Sequence, residues 1–169
     1  MLKHSLAVLS LIVVTAQAAA ADGHFKLFGQ SEGWNVFTDT EKMTCMIESS
    51  DDAGNVVQMG LTQERDVAYV GVFTQAETGI KRDSKEAVAI LLGDKLYIGE
   101  ATGMRGNITK GYSGGYVLSD DPQFVEDIQK QYKMVVFPEK EYSFIVDLSG
   151  TYKAIEMARD CTTKAVEGQ

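Results

Sequence analysis

Histidine is almost missing from this chain. Only His4 and His24 are present, and once the leader is removed His24 is the one histidine left. That scarcity argues against Ser–His and Cys–His nucleophilic catalysis and against most zinc sites. Cysteine is nearly as rare: Cys45 and Cys161 are the whole supply, with no C-x-x-C spacing to suggest a metal ribbon or a redox motif. Basic residues are outnumbered, 16 Lys and Arg against 24 Asp and Glu. An acidic body of this kind is repelled by nucleic acid and by anionic membrane surfaces, and neither is expected as a partner. No internal repeat and no low-complexity block follows the first segment. The one long apolar run, Leu6 to Val14, is about half of the ~20 residues that a membrane-crossing helix needs.

That run is part of the clearest positive signal. Lys3 and His4 precede it, and Ala16, Ala18, Ala19, Ala20 and Ala21 follow it. A basic start, a short apolar centre and small residues for a peptidase make residues 1–21 read as a secretory signal peptide. No cysteine lies near the cut, which speaks against a lipid anchor. Cleavage leaves 148 residues, one domain, with 15 basic and 24 acidic side chains and a net charge of −9. The expected address is the periplasm, with secretion or surface association as its extensions. Both cysteines survive cleavage, and an even pair in an oxidising compartment reads as one disulfide, Cys45–Cys161. The rival reading, reactive thiols or metal ligands, lacks a supporting histidine.

Within the mature chain, residues 22–33 are polar and glycine-containing and read as a flexible lead-in. From 34 to 161 a single β-rich domain is expected. Met43, Cys45 and Ile47 alternate with Thr44, Met46 and Glu48; Val57, Met59 and Leu61 alternate with Gln58, Gly60 and Thr62; and Ala68, Val70 and Val72 alternate with Tyr69, Gly71 and Phe73. This period of two marks half-buried strands. Further strands are expected at 87–92, 95–100 and 115–118, the first two joined by a tight turn at Gly93-Asp94. Asp121-Pro122 signals a helix start, and Phe124, Ile128 and Tyr132 continue at helical spacing. Strands at Lys133–Phe137 and Glu141–Leu148 follow, the latter with Tyr142, Phe144, Val146 and Leu148 on one face. Thr151 to Cys161 reads as a short helix with Ala154, Met157, Ala158 and Cys161 on one stripe. Residues 162–169 are expected to be a frayed tail. The fold class predicted is mainly β, an antiparallel β-sandwich or flattened barrel with two short helices near the C-terminus.

Motifs for chemistry are sparse. Gly111-Tyr112-Ser113-Gly114-Gly115 matches the nucleophile-elbow spacing, but no histidine follows Ser113 and the next residues read as strand. Asp51-Asp52 and Asp120-Asp121 offer carboxylates, yet neighbouring aspartates in turns commonly only form the turn. Asn107-Ile108-Thr109 fits a glycosylation acceptor, a pattern frequent by chance. No cofactor and no metal is expected. The stretch from Gly99 to Tyr116 combines glycines with Arg105, Lys110, Tyr112 and Tyr116, the composition of adaptable binding loops. Those four residues are the candidate binding loop, and Lys81, Arg82 and Lys85 form a second basic patch. Trp34, the single tryptophan, is expected in the core.

The order of these features carries a resemblance. A leader is followed by Gly33-Trp34-Asn35-Val36 and an early cysteine. Late in the chain come a helix, a strand, then Tyr142-Ser143-Phe144-Ile145-Val146-Asp147-Leu148-Ser149-Gly150 running into Thr151-Tyr152-Lys153-Ala154-Ile155 and a closing cysteine. This resembles the invasion-associated locus B family of exported proteins of Gram-negative bacteria, in layout over most of the mature chain and in motif over about its last forty residues. Members often carry a further cysteine pair where this chain has Gly111–Leu118. The resemblance implies a periplasmic or surface-exposed β-sandwich, linked in some members to host-cell invasion, with no established catalytic residues. The function expected is an exported, non-enzymatic protein that binds a protein or envelope ligand through its loops. The alternatives are an inhibitor of a cationic enzyme such as a lysozyme, motivated by the charge, or a carboxylate-dependent envelope hydrolase.

Overall fold

The structure is a computed structural model and describes residues 23–62, 66–79, 85–102 and 111–167. The leader segment, Arg105, Lys110, the Asn107–Thr109 motif, Lys81 and Arg82 lie outside the described residues.

Alternation of side chains along each strand leaves one apolar face per sheet, and two such faces must meet. Sheet A joins β1 (Phe25–Ser31), β2 (Trp34–Asp39), β3 (Thr44–Ser50), β4 (Val56–Leu61), β5 (Ala68–Thr74) and β8 (Ser113–Ser119) in the order β1-β2-β3-β4-β5-β8. Sheet B joins β6 (Lys85–Leu92), β7 (Lys95–Thr102), β9 (Lys133–Val136) and β10 (Phe144–Asp147) in the order β10-β9-β6-β7. Every pairing is antiparallel. The fold class is therefore mainly antiparallel β. It is an open two-sheet sandwich and not a closed barrel, because among the described residues β1 and β8, and β10 and β7, stay unpaired on their outer sides.

The register shows how the core is laid out. Val36, Ile47, Met59, Val70 and Val117 are successive cross-strand partners in sheet A, and all are buried. Val88, Ile90, Leu92, Met134, Val136 and Val146 supply the facing layer from sheet B. Gly93 sits at φ +62 in the two-residue turn between Leu92 and Lys95, a left-handed position that favours glycine and that the Gly93-Asp94 signal anticipates.

Two helices close the open end. In α1 (Pro122–Lys130), Asp121 accepts a hydrogen bond from the Gln123 amide, and proline fills the first turn where no amide partner is needed. Phe124 and Ile128 face the core. The second helix, α2 (Thr151–Glu167), lies on β1, β2 and β3 through Thr151, Ala154 and Cys161. The alanine keeps the helix backbone near the strands. The Cys45–Cys161 disulfide forms across that contact with a Cα separation of 6.0 Å, and Trp34 is buried with its ring nitrogen donating to the Ser149 carbonyl at 3.0 Å.

Some boundaries differ from the sequence reading. The supposed flexible lead-in holds β1, paired with β2 from Phe25 to Ser31. A register shift between Leu27 and Gly29 breaks its alternation, so the strand is masked in the sequence. The expected frayed tail is helical as far as Glu167, held by Thr162 Oγ1 donating to Ala158 O and by a Lys164–Asp160 ion pair one turn apart. The strand expected over Glu141–Leu148 shortens to Phe144–Asp147 because Phe137 to Ser143 turn on themselves, with Lys140 and Ser143 amides donating to Phe137 and Lys140 carbonyls.

Candidate functional site

Of the candidate loop residues, Tyr112 and Tyr116 are described. Tyr116 is not on a loop. It lies in β8 opposite Gly71 of β5, on the face of sheet A that points away from the core. Ser113 opens β8 and pairs with Thr74 of β5, so the serine begins a β-strand and does not sit on a strand-turn-helix elbow. Asp51 accepts hydrogen bonds from the Asn55 backbone and side chain, and Asp121 caps α1; both aspartate pairs shape turns or caps.

Around Tyr116 the outer face of sheet A carries a connected polar row. Glu48, Gln58, Gly71 and Tyr116 are neighbours across β3, β4, β5 and β8. Tyr116 Oη donates to Gln58 Oε1 at 3.2 Å, and Gln58 Nε2 donates to Glu48 Oε2 at 2.7 Å. The Tyr116 ring meets Tyr69 and Phe73 edge to face, with centroids 5.7 and 5.4 Å away. Burial raises the Glu48 carboxyl above its ordinary value, against the opposing pull of the Gln58 hydrogen bond. Burial, then the nearby Glu48 charge, pushes the Tyr116 hydroxyl up to about 12. At neutral pH it is a donor, and its partner is in place.

A second polar cluster stands where α1 meets sheet B. The buried Asp127 carboxylate accepts from Lys95 Nζ at 2.8 Å, Tyr97 Oη at 2.6 Å and Gln123 Nε2 at 2.8 Å. The Lys95 and Tyr97 hydrogen bonds lead in lowering its pKa to about 2. Three donors on one carboxylate make a lock between helix and sheet, with little capacity left for a ligand. Among the described residues no group of three or more His, Cys, Asp and Glu gathers as metal ligands do, and no helix is long and apolar enough to cross a membrane.

The third feature is concave. A cleft of about 550 Å³ opens between the core face of sheet A and the two helices. Ile47, Met59, Leu61 and Ala68 line it from the sheet, Val125, Ile128 and Gln129 from α1, and Ile155, Ala158 and Thr162 from α2. Small-molecule sites run from roughly 300 to 1,000 Å³, mostly apolar with few polar groups, and this cleft fits that description. The small side chains of Ala68 and Ala158 fill little of the space between the sheet and the helices. Cys45 belongs to the lining, so the disulfide fixes the wall that α2 forms.

The polar atoms of the cleft are nearly all occupied. Thr162 Oγ1 accepts from the Cys45 amide and donates to Ala158 O. Glu126 pairs with Lys130 at 2.8 Å, and Arg159 pairs with Glu156. Gln129 differs: its Nε2 is buried and has no hydrogen-bond partner. Leaving such a donor unmet costs about 1–3 kcal/mol, which makes this amide a weak point in the packing of the cleft wall. Sequence reading passed over Gln129. Its signal was position: it lies four residues after Val125, at the edge of the apolar stripe of α1.

No protein-family model matches the chain, and no curated protein matches it. Among solved structures, the crystal structure of invasion associated protein B from Bartonella henselae superposes with a TM-score of 0.53 at 12% sequence identity, covering 80% of this chain and 99% of that one. At that identity the likeness is one of fold, and this chain shares the fold of invasion associated protein B.

Proposed function

We propose that this is an exported, non-enzymatic binding protein related to the invasion-associated locus B family, and that it holds an envelope ligand in the cleft between sheet A and the two helices. The observation that carries the reading is the cleft itself: an apolar hollow of ligand size with one buried donor unfilled. The leader-like first segment and the Cys45–Cys161 disulfide support export into an oxidising compartment. The fold shared with invasion associated protein B supports the family.

The test is to purify the mature protein from its native envelope and extract bound small molecules for mass spectrometry. Wild type is compared with Leu61→Asp, which puts a charge on a lining residue that is already 37% exposed and so leaves folding intact. A ligand recovered from wild type and lost from the variant is the expected result. Equal recovery from both would remove the cleft from consideration. The second reading, an inhibitor of a cationic enzyme, rests on the net charge of −9. It requires binding to basic proteins that weakens steeply with salt.

A further inference from the structure

We propose that the outer face of sheet B is a self-association surface, and that its occupant is a second copy of this chain. Sheet A has a polar row on its outer face, and sheet B does not. Residues 87–92, Ala-Val-Ala-Ile-Leu-Leu, are apolar without a break, the pattern of a strand covered on both sides. Val88, Ile90 and Leu92 turn into the core. The residues between them turn outward, and the register joins them to apolar partners. Leu91 lies beside Val135 and Leu96, Val135 beside Ile145, and Ala89 beside Ile98. Leu96, Ile98 and Ile145 are 53%, 66% and 58% exposed. A continuous apolar patch across four strands marks an interaction surface, unlike apolar residues scattered singly. None of these residues lines the cleft, so the two proposals stand or fall separately.

Charge, shape and size select the occupant. Among the described side chains, the charged residues on this face are Lys133 and Asp147, cross-strand partners of opposite sign. The face is therefore neutral on a body of net charge −9, so a like-charged copy meets least repulsion there and an ionic partner gains nothing. The shape matches itself. Leu91 is bulky, while Ala87 and Ala89 on the same side of β6 are small. A two-fold axis lying in the interface and crossing the strands at Ala89 and Ile98 sets Leu91 of each copy over Ala87 of the other. It sets Ile98 over Ile98, as an isologous contact requires. Four strands about 4.8 Å apart, over five residues of about 3.4 Å each, give a patch of roughly 300 Å². Stable complexes bury about 800 Å² per partner, so this patch supports a dimer that dissociates on dilution.

The experiment is sedimentation velocity on the mature oxidised protein from micromolar to millimolar concentration. A monomer–dimer equilibrium is expected within that range. Ile98→Lys and Ile98→Glu each set like charges against each other across the axis, at an exposed residue. Each is expected to weaken association by about tenfold or more. An equimolar mixture of the two is expected to associate again, because Lys then faces Glu; a loss caused by misfolding would not be rescued in this way. Leu118→Lys, also at an exposed residue but on the outer face of sheet A, is expected to associate as wild type does. Wild type that stays monomeric throughout would overturn the proposal. So would a dimer unaffected by Ile98→Lys, one lost with Leu118→Lys, or a mixture that fails to associate. Monomeric wild type that floats with phosphatidylcholine vesicles, and no longer does so as Ile98→Lys, would overturn it in favour of a lipid surface.

Discussion

The two faces of sheet A are built from the same strands and solve the problem of polar groups in opposite ways. On the outer face, Tyr116, Gln58 and Glu48 form a chain in which each donor has its acceptor, and Tyr69 and Phe73 pack their rings against the tyrosine. On the core face the strands are apolar, yet the helices above them leave a hollow and an unmatched amide at Gln129. A face whose hydrogen bonds are complete is finished as a structure. A face with an open apolar space is where a ligand could be taken up. This contrast, and not the presence of tyrosines, is what separates framework from site here.

The comparison can be broken first at the disulfide, where the largest effect is expected. The double substitution Cys45→Ala/Cys161→Ala opens a loop whose ends are 116 residues apart. It should lower stability by about 4–5 kcal/mol in the chain-entropy treatment, measured by urea denaturation. The core face should suffer most, because α2 loses its covalent tie to β3. A loss under about 1 kcal/mol would mean that packing alone holds the helix.

On the outer face, Gly71→Ala comes next. A methyl group there would sit 2.5 Å from Tyr116 Cε1 and 2.9 Å from Phe73 Cε2. The two rings must shift to admit it, which should cost about 1–3 kcal/mol. Tyr116→Phe is milder, about 1 kcal/mol by the same measurement, since it removes one hydrogen bond to Gln58 Oε1 without adding bulk. Neither change should alter ligand binding at the cleft, and a large effect there would contradict the division between the faces.

The subtlest test is a slope. Asp127 is lowered from its ordinary 3.8 to about 2 by its hydrogen bonds to Lys95 and Tyr97. A carboxyl depressed in the folded state stabilises fully above 3.8 and loses that contribution as pH falls through about 2. The stability difference between wild type and Asp127→Asn should hold steady at neutral pH and shrink on acidification across that window. A difference independent of pH would mean that the carboxylate is not the lock between α1 and sheet B.

Much of the framework was legible in the sequence because burial imposes a period. Ile47, Met59 and Val70 each recur at every second residue of their strand and are adjacent in one buried row. The Asp121-Pro122 start and the Gly93 turn are local chemistry and were readable as such. The first strand escaped notice because its register shift disrupts the period and its edge position leaves most of its side chains open to water. The site was far less legible. Gln129, Leu61 and Ala158 come from α1, β4 and α2, and nothing local to any one of them announces a cleft that only their assembly creates. Tyr116 stood out for its composition and proved to be a satisfied strand residue, whereas the quiet glutamine was the one with an empty hydrogen bond.

The most direct measurement is amide hydrogen exchange on the mature oxidised protein with and without the small-molecule extract of its native envelope. Slowed exchange is expected in segments 59–61, 125–129 and 155–163, where sheet and helices enclose the hollow, with 113–119 unchanged. Protection that appeared instead along 113–119, or in no segment at all, would contradict the assignment of the cleft as the binding site.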